Sequence, residues 1–202
     1  MITQTFDKPL FLVDALVPTP SNRTRRLIRD ALLVLLFSVG IAGSARVSIP
    51  LPFTPVPITG QTFAVLLTGA ALGAKRGGLA LMLYLLEGAS GLPVFAGGAG
   101  GFTKLVGTTG GYLLSYPFAA FAMGTLARRG WDKTPARTFA AMLLSSLIVL
   151  ITGTLWLSFF VGGIKPALAM GLLPFLPGDV LKAALAAGLL PTLWKGINRR
   201  KC

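Results

Sequence analysis

Residues 174–182 read Pro-Phe-Leu-Pro-Gly-Asp-Val-Leu-Lys, and they introduce the last long apolar run of the chain. Asp179 and Lys182 are three residues apart, so both charges lie on one face if this segment is a helix. Ionisable residues at the edge of a hydrophobic span indicate a functional site by default. This stretch alone leaves a structural alternative open. Pro177 suits a first helical turn, Asp179 favours the positive end of the helix dipole, and Lys182 can extend to the membrane interface.

The composition of the whole chain is that of a membrane protein. Of its 202 residues, 53% are hydrophobic and 12% are charged, whereas a soluble domain carries about 25% charged residues. The length allows about six spans of ~20 residues with short connections. We therefore predict an all-α membrane protein with six transmembrane helices and no separate soluble domain.

The predicted spans are apolar runs separated by charges and turn residues. They cover residues 27–47, 58–74, 77–92, 109–127, 138–161 and 178–194. Between the last two runs, residues 162–176 hold an apolar piece that is too short to span and is predicted to lie at the interface. The predicted organisation is a cytoplasmic tail at 1–22, a membrane domain at 23–196 and a basic cytoplasmic tail at 197–202.

The basic residues predict the orientation of these spans. The net charge is +13, and the basic residues lie in clumps between the apolar runs. With both termini cytoplasmic, 15 of the 19 Lys and Arg residues fall inside, and Arg46, Lys104 and Lys165 fall outside. This asymmetry follows the positive-inside rule and argues against nucleic-acid binding. A re-entrant hairpin around Lys75 and Arg76 would cost ~2.5–3.5 kcal/mol for each charge at the bilayer centre.

Two unusual loops are predicted to share the outer face with Asp179 and Lys182. Residues 49–57 contain four prolines, which predict an extended, stiff loop that serves as a lid, a rim or a plain connector. Residues 91–111 are glycine-rich, with Lys104 as their one charge. Such backbone allows close approach to a ligand, although a flexible connector remains the alternative. The sequence thus predicts a ligand pocket near the extracellular face.

The residue inventory argues against an enzyme. The chain has no His and one Cys, Cys202, which disfavours zinc chemistry and a general base of the commonest type. It has no G-x-S-x-G motif and no P-loop, and we predict no metal site. The membrane-edge acid Glu87 stays unassigned. A pocket with Asp179, lysines and tyrosines suits a small ligand with a urea-like head, an apolar body and a carboxylate tail.

Four stretches, in order along about residues 30–195, resemble the BioY family, the biotin-binding components of bacterial vitamin transporters. They are Thr54-Pro-Val-Pro-Ile-Thr-Gly-Gln-Thr-Phe-Ala-Val-Leu-Leu-Thr-Gly-Ala-Ala-Leu-Gly73, Gly91-Leu-Pro-Val-Phe-Ala96, Gly107-Thr-Thr-Gly-Gly-Tyr-Leu-Leu-Ser-Tyr-Pro117 and Pro177-Gly-Asp-Val-Leu-Lys182. The resemblance implies a six-helix S component of an energy-coupling factor (ECF) transporter in the bacterial inner (plasma) membrane. It also implies that a transmembrane coupling protein and two ATPase subunits drive uptake. ATP would then act only through those partners, and no cofactor would be bound covalently.

The resemblance also implies site residues. Asp179 and Lys182 would contact biotin, Lys104 would meet its carboxylate, and Phe95, Gly98 and Tyr112 would help to wall the pocket. S components often carry an Ala-x-x-x-Ala motif in the first helix for contact with the coupling protein. This chain departs from that motif and offers two small-residue pairs there, Ser38 with Ala42 and Gly40 with Ser44.

Three other functions remain open from the sequence. The chain could be an S component for another vitamin, or a proton-coupled carrier or channel that acts alone through Glu87 and the Asp179–Lys182 pair. A membrane enzyme is disfavoured by the missing catalytic groups. The sequence also leaves open whether the chain acts alone, as a homo-oligomer or only with coupling partners.

Overall fold

The computed structural model describes residues 10–199, so parts of both predicted tails, residues 1–9 and 200–202, lie outside the described residues. Most of the described chain is helical. The helices are α1 (Leu12–Leu16), α2 (Arg23–Ser44), α3 (Gln61–Leu72), α4 (Ala74–Ala89), α5 (Thr103–Val106), α6 (Gly110–Arg128), α7 (Pro135–Leu157), α8 (Ile164–Gly171) and α9 (Leu176–Arg199). Two short strands, β1 (Ser48–Leu51) and β2 (Thr54–Thr59), join α2 to α3. The predicted helical class is confirmed, with a small hairpin added.

Helix length and hydropathy together separate the six predicted spans into two groups. Within residues 10–199, α2, α7 and α9 are long and apolar enough to cross a membrane. The other three predicted spans correspond to α3, α4 and α6, with 12, 16 and 19 residues. At 1.5 Å per residue, α3 and α4 extend only about 18 and 24 Å, less than a hydrocarbon core of about 30 Å.

Helix α6 lies at the centre of the bundle and packs against α3, α4 and α7, while α9 packs on α7 and α2 on α4. Glycines allow the closest of these approaches. A Cβ at Gly69 of α3 would lie 2.3 Å from the carbonyl oxygen of Ala120, and one at Gly124 of α6 would lie 2.3 Å from the backbone nitrogen of Ala74. Any larger residue there would push the helices apart.

The proline-rich loop forms an antiparallel hairpin. Ser48 pairs with Thr59, Ile49 with Ile58 and Leu51 with Thr54, with an irregularity between Ile49 and Leu51, where Pro50 lies. Proline cannot donate to a strand ladder, so it is tolerated at edges and irregularities of this kind. The predicted extended conformation is confirmed, and strand pairing fixes its direction.

The segment before α2 packs on the opposite end of the bundle from this hairpin. Helix α1 contacts α3 and α9, and Leu12 and Val13 are buried. The ring of Phe11 lies over the turn between α3 and α4, where a Cβ at Gly73 would lie 2.4 Å from it. Gly73 also has φ +82°, a conformation that favours glycine. The part of the predicted tail that is described is therefore folded onto the bundle.

An ion cluster holds this segment in place. Asp14 accepts hydrogen bonds from Arg29 Nη2 at 2.8 Å and from Arg76 Nη2 at 2.7 Å. Asp30 lies 3.2 Å from both guanidinium groups. The cluster joins the first segment to α2 and α4, and we call it the turn-side ion cluster because it lies beside the α3–α4 turn.

Candidate functional site

The acid–base pair of α9 lies at the start of that helix and is mostly buried. Asp179 is 6% exposed, and its Oδ1 lies 3.4 Å from Lys182 Nζ. The two residues are one helical turn apart, so the predicted shared face is confirmed. Asp179 occupies the first turn of α9, as in the structural alternative, and it also belongs to a polar cluster.

Side chains from two other helices complete this cluster. Ser146 of α7 donates its hydroxyl hydrogen bond to Asp179 Oδ2, and Lys182 Nζ donates to Thr62 Oγ1 of α3 at 2.6 Å. The pair therefore links α3, α7 and α9. Hydroxyl groups are exchangeable partners, because a ligand with its own donors and acceptors can replace them without leaving a charge unpaired.

A cavity of about 650 Å³ lies directly beside this pair. Six parts of the chain form its walls: the hairpin, the start of α3, the loop from Phe95 to Thr109, the first turns of α6, and the facing parts of α7 and α9. We call it the hairpin-side cavity. Its volume is within the range of pockets that enclose a small organic ligand.

Five of the six predicted ligand residues line this cavity. They are Phe95, Lys104, Tyr112, Asp179 and Lys182. Gly98 lies between the lining residues Gly97 and Ala99 without lining the cavity itself. It has φ +79°, and a Cβ there would lie 2.6 Å from Arg46 Nη1. Gly98 thus shapes the loop and makes room for a cavity-lining arginine.

Aromatic rings form the apolar walls. Phe95 packs edge-on against Tyr84 with ring centroids 5.5 Å apart, over a glycine at position 88 where a Cβ would lie 2.0 Å from the Phe95 ring. Tyr112 donates its hydroxyl hydrogen bond to the carbonyl of Gly171 at 2.7 Å. Both rings are therefore fixed before any ligand enters.

Several residues of the site were not predicted from the sequence. Arg46 was counted only as an outer charge, yet it lines the cavity and donates to the Pro93 carbonyl at 2.9 Å. Gln61 and Thr62 lie in a stretch that carried the family resemblance, which could have identified them. Ser146 carries no signal in the sequence, because its role depends on the packing of α7 against α9.

The charged residues that line the cavity differ in their exposure to solvent. Asp179 is buried at one part of the lining, whereas Arg46 and Lys104 are exposed. Such a cavity can hold a ligand whose neutral hydrogen-bonding head meets the buried pair and whose anionic end meets the exposed cations. Among residues 10–199, no group of three or more His, Cys, Asp or Glu residues is placed to hold a metal ion.

The four small residues predicted for partner docking lie on different sides of α2. Ser38 is buried and donates to Glu87 Oε2 at 2.5 Å, and Ala42 packs partly against the core. Ser44 bonds the Ile41 carbonyl. Gly40 is exposed, and a Cβ there would meet no atom within 4 Å.

Comparisons with known proteins agree with this architecture. The BioY family model matches residues 17–199. The probable biotin transporter BioY of Pyrococcus horikoshii is 41% identical over 156 residues, which are 77% of this chain and 88% of that relative. The biotin transporter BioY of Thermotoga maritima is 41% identical over 166 residues, 80% of this chain and 91% of the relative. A crystal structure of the S-component for biotin from an ECF-type ABC transporter matches with a TM-score of 0.74 and 27% identity, covering 87% of this chain and 95% of that one.

Proposed function

The chain belongs to the BioY family, and on that premise we propose that it is a membrane component that captures biotin with high affinity for uptake. A separate coupling protein with ATPase subunits energises the uptake, so this chain is a transport component and not an enzyme. The names of the relatives as biotin transporters support this proposal, as does the S-component likeness. The observation that carries it is the hairpin-side cavity with its buried Asp179–Lys182 pair.

The proposed topology has six spans, α2, α3, α4, α6, α7 and α9, with both termini in the cytoplasm and the hairpin-side cavity toward the outside. The protein would be a multi-pass protein of the plasma (inner) membrane, with residues 23–196 as its membrane domain. The clustering of Lys and Arg at the opposite end from the hairpin supports this orientation. Because α3 is only about 18 Å long, Thr62 near its start lies within the membrane, and the cavity extends that deep.

We propose that biotin enters with its ureido head first. The ureido group has N–H donors for the Asp179 carboxylate and a carbonyl acceptor for Lys182. The side chain of Asp179 is buried, and that of Lys182 is partly buried. The apolar ring system and chain fit between Phe95 and Tyr112. The valerate carboxylate stays near the exposed side, where Lys104 binds it and the neighbouring Arg46 adds a second positive charge.

We propose that the coupling protein docks on the exposed face of α2. Of the three long apolar helices, α2 has the smallest share of buried residues in its apolar part, 22%. Of the four small residues that the sequence suggested, Gly40 best fits such a face, since Ser38 is engaged by Glu87. Gly43 is also exposed, with no atom within 4 Å of a Cβ, and small residues at an interface permit close helix approach in a bilayer.

Equilibrium binding of isotope-labelled biotin to the purified chain tests the ligand assignment. Thiamin and riboflavin serve as controls for other vitamins taken up by S components. The proposal expects saturable biotin binding that neither control displaces. Tight thiamin binding without biotin binding would instead support an S component for another vitamin.

The source of energy needs a separate experiment. Cells that express the chain with its coupling partners should lose biotin uptake on ATP depletion. Uptake that survives ATP depletion but collapses with the proton gradient would support a carrier that acts alone. Co-purification of the chain with a transmembrane partner and ATPases would support the coupled mechanism directly.

A further inference from the structure

A second cavity, of about 810 Å³, lies at the other end of the bundle. The first segment, the start of α2, the α3–α4 turn and the last turns of α6 surround it. We call it the turn-side cavity. The hairpin-side cavity contacts the beginnings of α3 and α6, whereas this one contacts their ends, so the two are separate. The biotin proposal gives the turn-side cavity no role.

The walls of the turn-side cavity carry an excess of positive charge. Five basic and two acidic residues line it. Arg29 and Arg76 pair with the two acids in the turn-side ion cluster. The other three cations are exposed and lie within 4 Å of no carboxylate in residues 10–199; they are Arg26, Lys75 and Arg128.

An apolar stripe of α6 leads away from these cations. Phe118 and Phe121 are 68% and 52% exposed, and Phe121 lines the cavity together with Thr125 and Arg128. These residues are three or four apart, so they follow one face of α6. Phe121 lies about 10 Å along the axis from Arg128. That spacing matches an acyl chain beside Phe121 when a phosphate lies at Arg128.

We propose that the turn-side cavity binds the head group of an anionic phospholipid. Its phosphodiester contacts Arg26, Lys75 and Arg128, and an acyl chain packs along the exposed stripe of α6. The positive-inside rule accounts for basic residues on this side, but it does not require a cavity between them. Basic pockets between transmembrane helices are a known form of lipid head-group site. An anionic lipid is favoured over a zwitterionic one because the cavity has a net positive charge.

Native mass spectrometry of the detergent-purified full chain, titrated with phosphatidylglycerol or phosphatidylcholine, tests this proposal. We expect a saturable adduct with phosphatidylglycerol and weaker binding of phosphatidylcholine. Each basic residue near an anionic lipid contributes roughly fivefold in affinity. The triple variant R26Q/K75Q/R128Q should therefore bind phosphatidylglycerol on the order of a hundredfold more weakly.

A matched control removes three exposed arginines that do not line the cavity. The variant R25Q/R129Q/R137Q has the same net charge as the triple variant and should keep most of the phosphatidylglycerol affinity. The melting temperature of each variant in phosphatidylcholine-containing micelles reports whether it is folded. If the triple variant unfolds, the single variant K75Q replaces it, with an expected loss of roughly fivefold.

Three results would overturn the assignment. Equal losses in the two triple variants would indicate a general charge effect without a site. Displacement of phosphatidylglycerol by millimolar glycerol phosphate or inorganic phosphate would indicate a site for soluble phosphate. Unchanged lipid binding, combined with loss of co-purifying coupling protein in R26Q/K75Q/R128Q, would identify the surface as a protein contact.

Discussion

The two acid–base clusters of this protein differ in how completely their charges are paired. In the turn-side ion cluster, two guanidinium groups surround Asp14 at 2.7 and 2.8 Å, and both also lie 3.2 Å from Asp30. We call Asp179, Lys182, Thr62 and Ser146 the hairpin-side cluster; among residues 10–199, a single cation lies within 4 Å of Asp179, at 3.4 Å. Hydroxyl groups supply the remaining contacts, and a cavity of about 650 Å³ lies beside them. Both clusters are more than two-thirds buried, so burial does not distinguish them.

The difference separates a structural cluster from a candidate ligand site. Arginine guanidinium groups bind carboxylates in a fixed geometry, which leaves few lone pairs on the carboxylate oxygens to accept hydrogen bonds from a ligand. A lysine ammonium with hydroxyl neighbours can turn toward a ligand. We therefore expect changes in the turn-side ion cluster to lower stability and changes in the hairpin-side cluster to lower biotin affinity.

Asp179→Asn should weaken biotin binding by about 1–3 kcal/mol, the cost of losing a buried hydrogen bond to a charged group. That corresponds to a rise in Kd of roughly fivefold to 150-fold, which calorimetric titration can measure. Asp30→Asn is the matched control, because it removes the same charge at the other cluster and should leave Kd unchanged. Unchanged affinity in Asp179→Asn would mean that Asp179 serves only to stabilise the N-terminal end of α9 through the helix dipole.

Asp14→Asn should lower the stability of the protein and leave its affinity for biotin unchanged. It breaks the charge-assisted bonds to Arg29 and Arg76, and partial solvent screening limits the loss of unfolding free energy to about 1–2 kcal/mol. Thermal unfolding in detergent should show a lower Tm, while the Kd for biotin stays the same. A large change in Kd at constant Tm would mean that the first segment influences the ligand site.

Lys104→Gln should weaken biotin binding less than Asp179→Asn, because Lys104 is exposed. We expect a loss of about 0.5–1 kcal/mol, typical of exposed charge pairs. Biotin amide, which lacks the negative charge, should bind equally to the variant and to the original chain. Arg46→Gln is the comparison that shows which of the two cations carries more of the preference for the carboxylate.

The turn-side ion cluster should also make the stability of the protein depend on pH. This effect should be smaller than those of the substitutions above. Burial alone would raise the pKa of Asp14, but hydrogen bonds from Arg76 and Arg29 hold that pKa below its usual value. The ordinary pKa of an unfolded Asp is about 3.9. The stabilisation is therefore complete above about pH 4–5 and is lost as the pH falls through the lower folded-state pKa.

Comparison of Tm between the original chain and Asp14→Asn measures this loss. The difference should be constant from about pH 7 to 5 and should shrink below about pH 4. A difference that grows on acidification would mean that the pKa of Asp14 is raised in the folded protein.

Local patterns in the sequence predicted the features that depend on nearby residues. The spacing of Asp179 and Lys182 predicted their shared face, and the structure places them 3.4 Å apart. The four prolines of residues 49–57 predicted extended backbone, and a hairpin forms there. In both cases, backbone geometry within a few residues determines the outcome.

Long-range packing determined what the sequence could not predict. Thr62 and Ser146 meet the α9 pair across 120 and 33 residues, and no local signal connects them. Asp14 was assigned to a tail, yet Arg76 binds it from 62 residues away. Ser38 was selected for docking by its small size, but the register of α2 turns it toward Glu87.

A crystal structure with biotin bound would show the ligand site itself. We expect biotin in the hairpin-side cavity, with its ureido nitrogens within hydrogen-bond distance of the Asp179 carboxylate and its valerate carboxylate near Lys104. Anomalous scattering from the biotin sulfur would fix the orientation of the ring between Phe95 and Tyr112. Biotin bound elsewhere, or in the same cavity with its carboxylate against Lys182, would refute the proposed site.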